Sequence, residues 1–306
     1  MEPTLDWVLQ LKKLILSSIR ERGLPLPVER EVCTKWREGL GGGGGRRVLY
    51  TSCMYQLAPF VKKAVDFLEK SGAHRGGLLG RVASLGASAA GWALIRPSRE
   101  ELERSSRILK SIYTLLKRSG VEVGLLDDEP YSGALLYELG FEKEFAEYAA
   151  SVVKYFRERG VEEVVTVDPH THYLLERVYP RYVELGVRVV NYLDLISPRG
   201  VKIRGFTIHD SCLYSRYLDK YQRVRQLLAP GGPIEDPYVT GRDTSGCCGG
   251  PVEAVAPTLA KKVAEMRVSK LSKLSKTVVV ACPLCLVNLS RAGGVEVVDI
   301  AEVLDL

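Results

Sequence analysis

Five of the seven cysteines in this chain of 306 residues fall in its last third, as Cys212, the adjacent pair Cys247-Cys248, and the box Cys282-Pro283-Leu284-Cys285. Thiolates are the soft ligands of iron and zinc sites, and a Cys-x-x-Cys spacing lets one turn of backbone aim two sulfurs at one centre. A random scatter of cysteines rarely gives both an adjacent pair and a Cys-x-x-Cys. The pattern therefore predicts a metal centre in this part of the chain.

The neighbours of these cysteines carry a resemblance. His209-Asp210-Ser211-Cys212, Gly246-Cys247-Cys248-Gly249-Gly250 and Ala281-Cys282-Pro283-Leu284-Cys285 together resemble the cysteine-rich CCG domain. That domain occurs in the B-type component of heterodisulfide reductase and in iron-sulfur subunits of glycolate, lactate and glycerol-3-phosphate oxidising systems. The ending Val297 to Leu304 resembles the close of such chains, and the likeness covers roughly residues 46 to 306. Ser211 departs from it, standing where the family usually has proline. The resemblance implies a 4Fe-4S cluster on Cys212, Cys247, Cys248, Cys282 and Cys285. Its form is left open between a non-cubane cluster on all five and a cubane on four. A structural zinc and a metal-free redox dithiol are the alternatives, and the fifth thiolate argues against zinc, which four ligands normally satisfy.

The composition, 46% hydrophobic and 26% charged, is that of a globular chain, and the length favours two domains. The net charge of +6 is spread without a dense basic tract, which argues against nucleic acid. Met1-Glu2-Pro3 opens no secretory signal, so the cysteines are read as reduced thiols in a cytoplasmic setting. Gly76 to Ile95 contains Arg81 and many small residues, and is read as a buried small-residue helix or loop rather than a span. Cys33 lies outside every pattern and is read as an ordinary free or buried thiol.

Leu5 to Arg20 has its apolar residues on one helical face, and the glycines from Gly41 to Gly45 read as a flexible linker. Beyond them strands and helices alternate. Strands are predicted at 46–51, 121–126, 163–167, 187–192, 205–209 and 277–281, with helices at 57–70, 100–118, 142–159, 174–185, 213–228 and 257–275. The expected fold is α/β: two pseudo-repeated modules with parallel-rich sheets flanked by helices, after an N-terminal helical leader. The boundaries read as a leader and linker at 1–45, a degenerate module at 46–196 and a cluster-binding module at 197–306.

The two halves resemble each other in sequence. Val165-Thr166-Val167-Asp168-Pro169-His170-Thr171 aligns with Val279-Val280-Ala281-Cys282-Pro283-Leu284-Cys285, placing Asp168 and Thr171 at the cysteine positions. Upstream, Tyr131-Ser132-Gly133 stands where a Cys-Cys-Gly triplet would, and Cys53 matches Cys212. One cysteine cannot hold a cluster, so the first module reads as a scaffold that has lost its metal. The alternative is a zinc or mononuclear site on Cys53, Asp168, His170 and His172, with Asp127 or Glu129. His170 equally suits contact with a substrate or partner. In the second module, cysteines at strand ends and helix starts meet converging N–H groups that stabilise thiolates. His209 and Arg216 flank the first ligand, as potential-tuning or as plain packing groups.

The functional reading is a one-cluster subunit of an oxidoreductase, heterodisulfide-reductase-B-like. It relays electrons to a disulfide or from an organic-acid dehydrogenase. The other class is an assembly or regulatory protein with a structural zinc. The chain has neither a ferredoxin Cys-x-x-Cys-x-x-Cys nor a Gly-x-Gly-x-x-Gly after a strand. A ferredoxin-like or flavin-bearing partner is therefore implied, with any membrane association made through that partner.

Overall fold

The computed structural model describes residues 5–41, 43–72 and 95–305. Gly76 to Ile95 falls, except for Ile95, outside them. The architecture is α/β, with parallel sheets flanked by helices and an N-terminal helix. In chain order the elements that matter are α1 (Leu5–Arg22), β1 (Arg47–Tyr50), α2 (Met54–Ser71), α3 (Arg99–Arg118), β2 (Gly124–Leu125), α4 (Ala134–Glu138), α5 (Glu142–Glu158), β3 (Glu163–Thr166), α6 (Pro169–Tyr173), β4 (Arg188–Asn191) and α7 (Tyr192–Leu195). They continue with β5 (Gly200–Val201), β6 (Phe206–Ile208), α8 (Tyr221–Leu228), α9 (Pro257–Leu271), β7 (Thr277–Val280), α10 (Pro283–Ala292), β8 (Glu296–Asp299), α11 (Ile300–Val303) and β9 (Leu304–Asp305).

The first sheet has the order β2-β1-β3-β4 and the second β6-β7-β8, and every pairing within them is parallel. Leu49 pairs with Val165 and Val165 with Val190, as Ile208 pairs with Val279 and Val279 with Val298. The central strands β3 and β7 are runs of β-branched residues buried on both faces, which is what a sheet covered by helices on each side requires. A short antiparallel pair, β5 with β9, completes the pairings.

The repeat seen in the sequence recurs as geometry. β1, β3 and β4 stand in the same order as β6, β7 and β8, and corresponding strand ends carry corresponding caps. Asp168 and Cys282 each occupy the N-cap position ahead of a proline that opens the next helix. Asn191 and Asp299 each cap a four-residue helix through their side chains.

The two halves also exchange contacts reciprocally. The helix after Cys53, α2, packs on the helix after Cys282, α10, while the segment after Cys212 packs on the helix after Asp168, α6. The tyrosine two residues beyond each of the matching cysteines reaches the cap of the opposite half. Tyr55 donates its hydroxyl to Asp299 at 2.7 Å, and Asn191 donates its amide to the Tyr214 oxygen at 2.8 Å, all four side chains being buried. Each such bond contributes about 0.5–1.5 kcal/mol net and leaves a larger penalty if one partner is removed. The apolar residues of both halves form one continuous core.

Several expectations are corrected. The helix expected at 213–228 is broken: Leu213–Tyr217 is a π-helical turn, Asp219 takes φ 51°, and α8 starts at Tyr221. The helix expected at 174–185 is α6 continued by a π-turn and a 3-10 turn that ends at Arg181, because Pro180 cannot continue the ladder. The strand expected at 121–126 shortens to β2, and β8 and α4 add to the predicted elements. The leader is tied down as well. Ile15, Leu24 and Trp36 enter the common core, Trp7 donates to the Ala254 carbonyl at 3.1 Å, and Gly43 in the glycine run accepts from Leu125 at 3.2 Å.

Burial lifts the Asp299 carboxyl from 3.8 to about 7, against the N–H of Ala301 and the Tyr55 hydroxyl. The folded chain then keeps a proton that the unfolded chain releases, so this group's contribution to stability falls as pH rises from about 4 to 7. Asp299→Asn copies the Asn191 arrangement, keeping a capping oxygen and a bond to Tyr55 while removing the charge. Urea unfolding is expected to show the variant more stable by on the order of 1–3 kcal/mol at pH 8 and by little at pH 5. An equal gain at both pH values would rule out the carboxylate as its source.

Candidate metal centre

Five thiols from three loops of the second half meet in one connected group. Cys212 follows β6, and its loop is braced twice. Asp210 accepts from Arg225 at 2.8 and 2.9 Å, and Ser215 bonds both the Ser211 carbonyl at 2.8 Å and Ser245, two residues before Cys247, at 2.7 Å. Cys212 hydrogen-bonds Cys247, and Cys247 also bonds Cys248. Cys248 and Cys285 stand with sulfurs 3.3 Å apart, and Cys285 contacts Cys282 across the Cys-x-x-Cys turn. Cys248, Cys282 and Cys285 are buried, while Cys212 and Cys247 are partly exposed.

Gly249 makes the adjacent pair possible. Its φ is +96°, and a Cβ there would stand 2.4 Å from the Ala260 carbonyl oxygen of α9. Its N–H points back at Cys247 Sγ from 3.3 Å. The following Gly250–Pro251 bond is cis.

The thiols divide electrostatically. Hydrogen bonds from Cys212 and Cys248 and the Gly249 N–H hold Cys247 far below the ordinary thiol value. Burial opposes ionisation of Cys282, but contact with Cys285 and with His170 outweighs it. Cys212, Cys248 and Cys285 are pushed up, each by its sulfur neighbours together with burial. Two negative sulfurs thus make a third costly, and only a cationic centre lets all five ionise together. That donor set fits an iron-sulfur cluster.

His209, Cys248 and Cys285 place ligand-capable atoms within 4.8 Å of one another, the one such trio among the described residues. The imidazole is nevertheless not arranged as a ligand. Arg267 of α9, itself anchored on the Val239 and Thr240 carbonyls, donates Nε–H to His209 Nδ1 at 3.0 Å. Burial, and then Arg267, hold the ring neutral, with its value lowered to about 3. Its single proton is therefore on Nε2, an atom that is buried and has no partner among the described residues. An N–H in that position suits a sulfur acceptor. Arg216, by contrast, is exposed and lies over the Tyr217 ring.

The alternative site on Cys53, Asp168, His170 and His172 is not assembled. Cys53 forms a disulfide with Cys33, with Cα atoms 5.0 Å apart, which also corrects the reading of Cys33 as a free thiol and of all seven cysteines as reduced. Spacing along the sequence carried no sign of it, because the leader's fold brings the two together. Asp168 accepts from the N–H groups of His170 and Thr171 at 2.9 and 3.0 Å. His172 bonds the Thr166 hydroxyl at 2.8 Å, Glu129 accepts from the Thr51 N–H at 3.0 Å, and Asp127 pairs with Arg37 at 3.1 Å. At Tyr131-Ser132-Gly133, Tyr131 accepts from the Leu135 N–H at 2.9 Å and the Ser132 N–H donates to Ser52 at 2.8 Å.

His170 instead turns to the other half. Its Nδ1 bonds the Glu138 carboxylate and its Nε2 lies 3.5 Å from Cys282 Sγ. Glu138 and Arg267 carried no sequence signal, since no spacing rule links them to the cysteines. Glu138, Glu253, Pro251 and Leu284 also line a cavity of about 690 Å³ walled mainly by apolar residues of α1 and α2.

Residues 206–290 match the cysteine-rich CCG domain. The chain is similar to the probable iron-sulfur-binding oxidoreductase FadF of Bacillus subtilis, at 28% identity over 201 residues, covering 61% of this chain and 28% of that protein. It is likewise similar to the EtfAB:quinone oxidoreductase of Syntrophomonas wolfei, at 28% over 232 residues, covering 66% and 32%. A probable membrane-anchored ferredoxin of Chromohalobacter salexigens matches at 27% over 223 residues, covering 65% and 33%. The chain spans about a third of the length of these relatives. Its likeness is to CCG-domain iron-sulfur oxidoreductases. No helix among the described residues is long and apolar enough to cross a membrane.

Thiol titration in denaturant is expected to find five reactive thiols before reduction and seven after it; seven at the outset would exclude the disulfide. Gly249→Ala is expected to reduce the unfolding free energy by more than the ~1–2 kcal/mol cost of left-handed backbone alone, and to reduce metal per chain. Gly205→Ala, at φ +68° with nothing within 4 Å of the new Cβ, is the control for backbone cost.

Proposed function

We propose that this chain is a one-cluster electron relay within an oxidoreductase complex, with a 4Fe-4S-type cluster held by Cys212, Cys247, Cys248, Cys282 and Cys285 in the module 197–306. The observation that carries the reading is the connected group of five sulfurs, since the other two cysteines are spent on a disulfide. Such a cluster supplies one-electron storage at a potential set by its surroundings. The protein's share is to gather the thiolates, to keep water from Cys248, Cys282 and Cys285, and to hold the His209 ring beside Cys248 and Cys285. The participation of all five thiols favours a non-cubane cluster over a cubane on four.

The module 46–196, with Cys53 bonded to Cys33 and Asp168 turned to helix capping, is read as a metal-free scaffold, and 1–45 as a leader whose described residues pack onto both. This is why relay is proposed over a two-cluster, heterodisulfide-reductase-B-like cleavage of a disulfide. The names of the relatives, an EtfAB:quinone oxidoreductase and a probable membrane-anchored ferredoxin, support a redox partner; we take it to be ferredoxin-like or flavin-bearing, in the cytoplasm, with any membrane association made through it. The exposed edge of the site at Cys212 and Cys247 is the side on which such a partner approaches.

Anaerobic purification followed by metal and sulfide analysis is expected to find iron near four per chain with matching sulfide, and Cys248→Ser is expected to bleach the visible absorption while Cys33→Ser leaves it. One zinc without sulfide, or unchanged spectra in Cys248→Ser, would overturn the reading.

A further inference from the structure

His170 belongs to the half of the chain that lacks the five cysteines, yet its ring ends at the sulfurs of the other half. It is 5% exposed, with Nδ1 against Glu138 Oε1 and Nε2 at 3.5 Å from Cys282 Sγ. Its direction is fixed by its own helix. Asp168 draws the N–H groups of His170 and Thr171 onto one carboxylate oxygen, Pro169 sets the first turn, and α6 packs on the π-turn after Cys212. The residue two places beyond Cys282, which corresponds to His170, is Leu284, so the second half places no ring at the matching position.

We propose that His170, held by Glu138, is an N–H donor to the Cys282 sulfur of the bound cluster, and that this donor is what the first half contributes to the site. The inference rests on the cluster reading above. A ligating thiolate accepts hydrogen bonds, so the ring nitrogen that faces Cys282 presents an N–H and offers no lone pair to iron, while Glu138 holds the other nitrogen. An N–H donated to a ligating sulfur stabilises the reduced, more negative cluster and raises its potential. His170 is thus a positioning residue of the site, acting on a different sulfur from those that face His209.

Reductive titration of the loaded chain, followed by electron paramagnetic resonance, tests this. His170→Leu is expected to keep its iron and to lower the reduced-to-oxidised ratio at fixed potential about tenfold, which is about 59 mV for a one-electron couple. His170→Gln, which returns an N–H near the Nε2 position, is expected to recover part of the shift. With nitrogen-15 confined to histidine, the wild-type cluster is expected to show a weak nitrogen coupling that is lost in His170→Gln, and this measurement decides if His170→Leu fails to load. A wild-type potential in His170→Leu, the same nitrogen couplings in His170→Gln, or a strong coupling from a directly bound nitrogen would each overturn the proposal. A wild-type chain without iron and sulfide would defeat the cluster reading itself, whereas a loaded chain indifferent to His170 defeats only this inference.

Discussion

The arrangement depends on a pair of buried hydrogen bonds exchanged between halves, Tyr55 with Asp299 and Asn191 with Tyr214. Each tyrosine sits two residues beyond a strand-end cysteine, and each acidic or amide partner caps the short helix that closes the opposite half. The bonds are fully desolvated, so breaking one strands a polar group in the core at about 1–3 kcal/mol. They tie the strand ends of the two halves together, beside the packing of α2 on α10 and of α6 on the turn after Cys212. The meeting of His170 with Cys282 lies across the same junction.

At the sulfurs the governing constraint is charge. Hydrogen bonds let Cys247 and Cys282 ionise against their burial, while sulfur neighbours and burial hold back the other three. The groups around them answer this imbalance. Arg267 fixes the tautomer of His209, whose ring lies beside Cys248 and Cys285, and the Gly249 N–H faces Cys247. At the equivalent strand ends of the first half, Asp168 and the Tyr131-Ser132 segment hydrogen-bond nearby backbone and hydroxyl groups where the second half presents thiols.

Much of this was legible in the sequence because it is local. The β-branched runs at β3 and β7, the proline after each strand, and the match of Tyr131, Ser132, Asp168 and Thr171 to cysteine positions depend on residues close together in the chain. The π-turns at Leu174–Val178 and Leu213–Tyr217 were not legible, since helical periodicity runs through them and only tertiary contacts show the break. The Cys33–Cys53 bond, the approach of His170 to Cys282 and the Arg267 contact join residues distant in sequence, brought together by packing that no motif encodes. The motif pattern marks His170 as a residue of interest but gives it the wrong companions, because spacing rules take each half to complete its own site.

The crossed packing of α2 on α10 and of α6 on the turn after Cys212 has a consequence for how the chain tolerates change. Each half walls the other's strand ends, so the half without the five cysteines shapes a site to which it contributes none of the thiols. Substitutions at its strand ends reach the sulfurs through packing, and removal of that half would bare the remaining site to solvent.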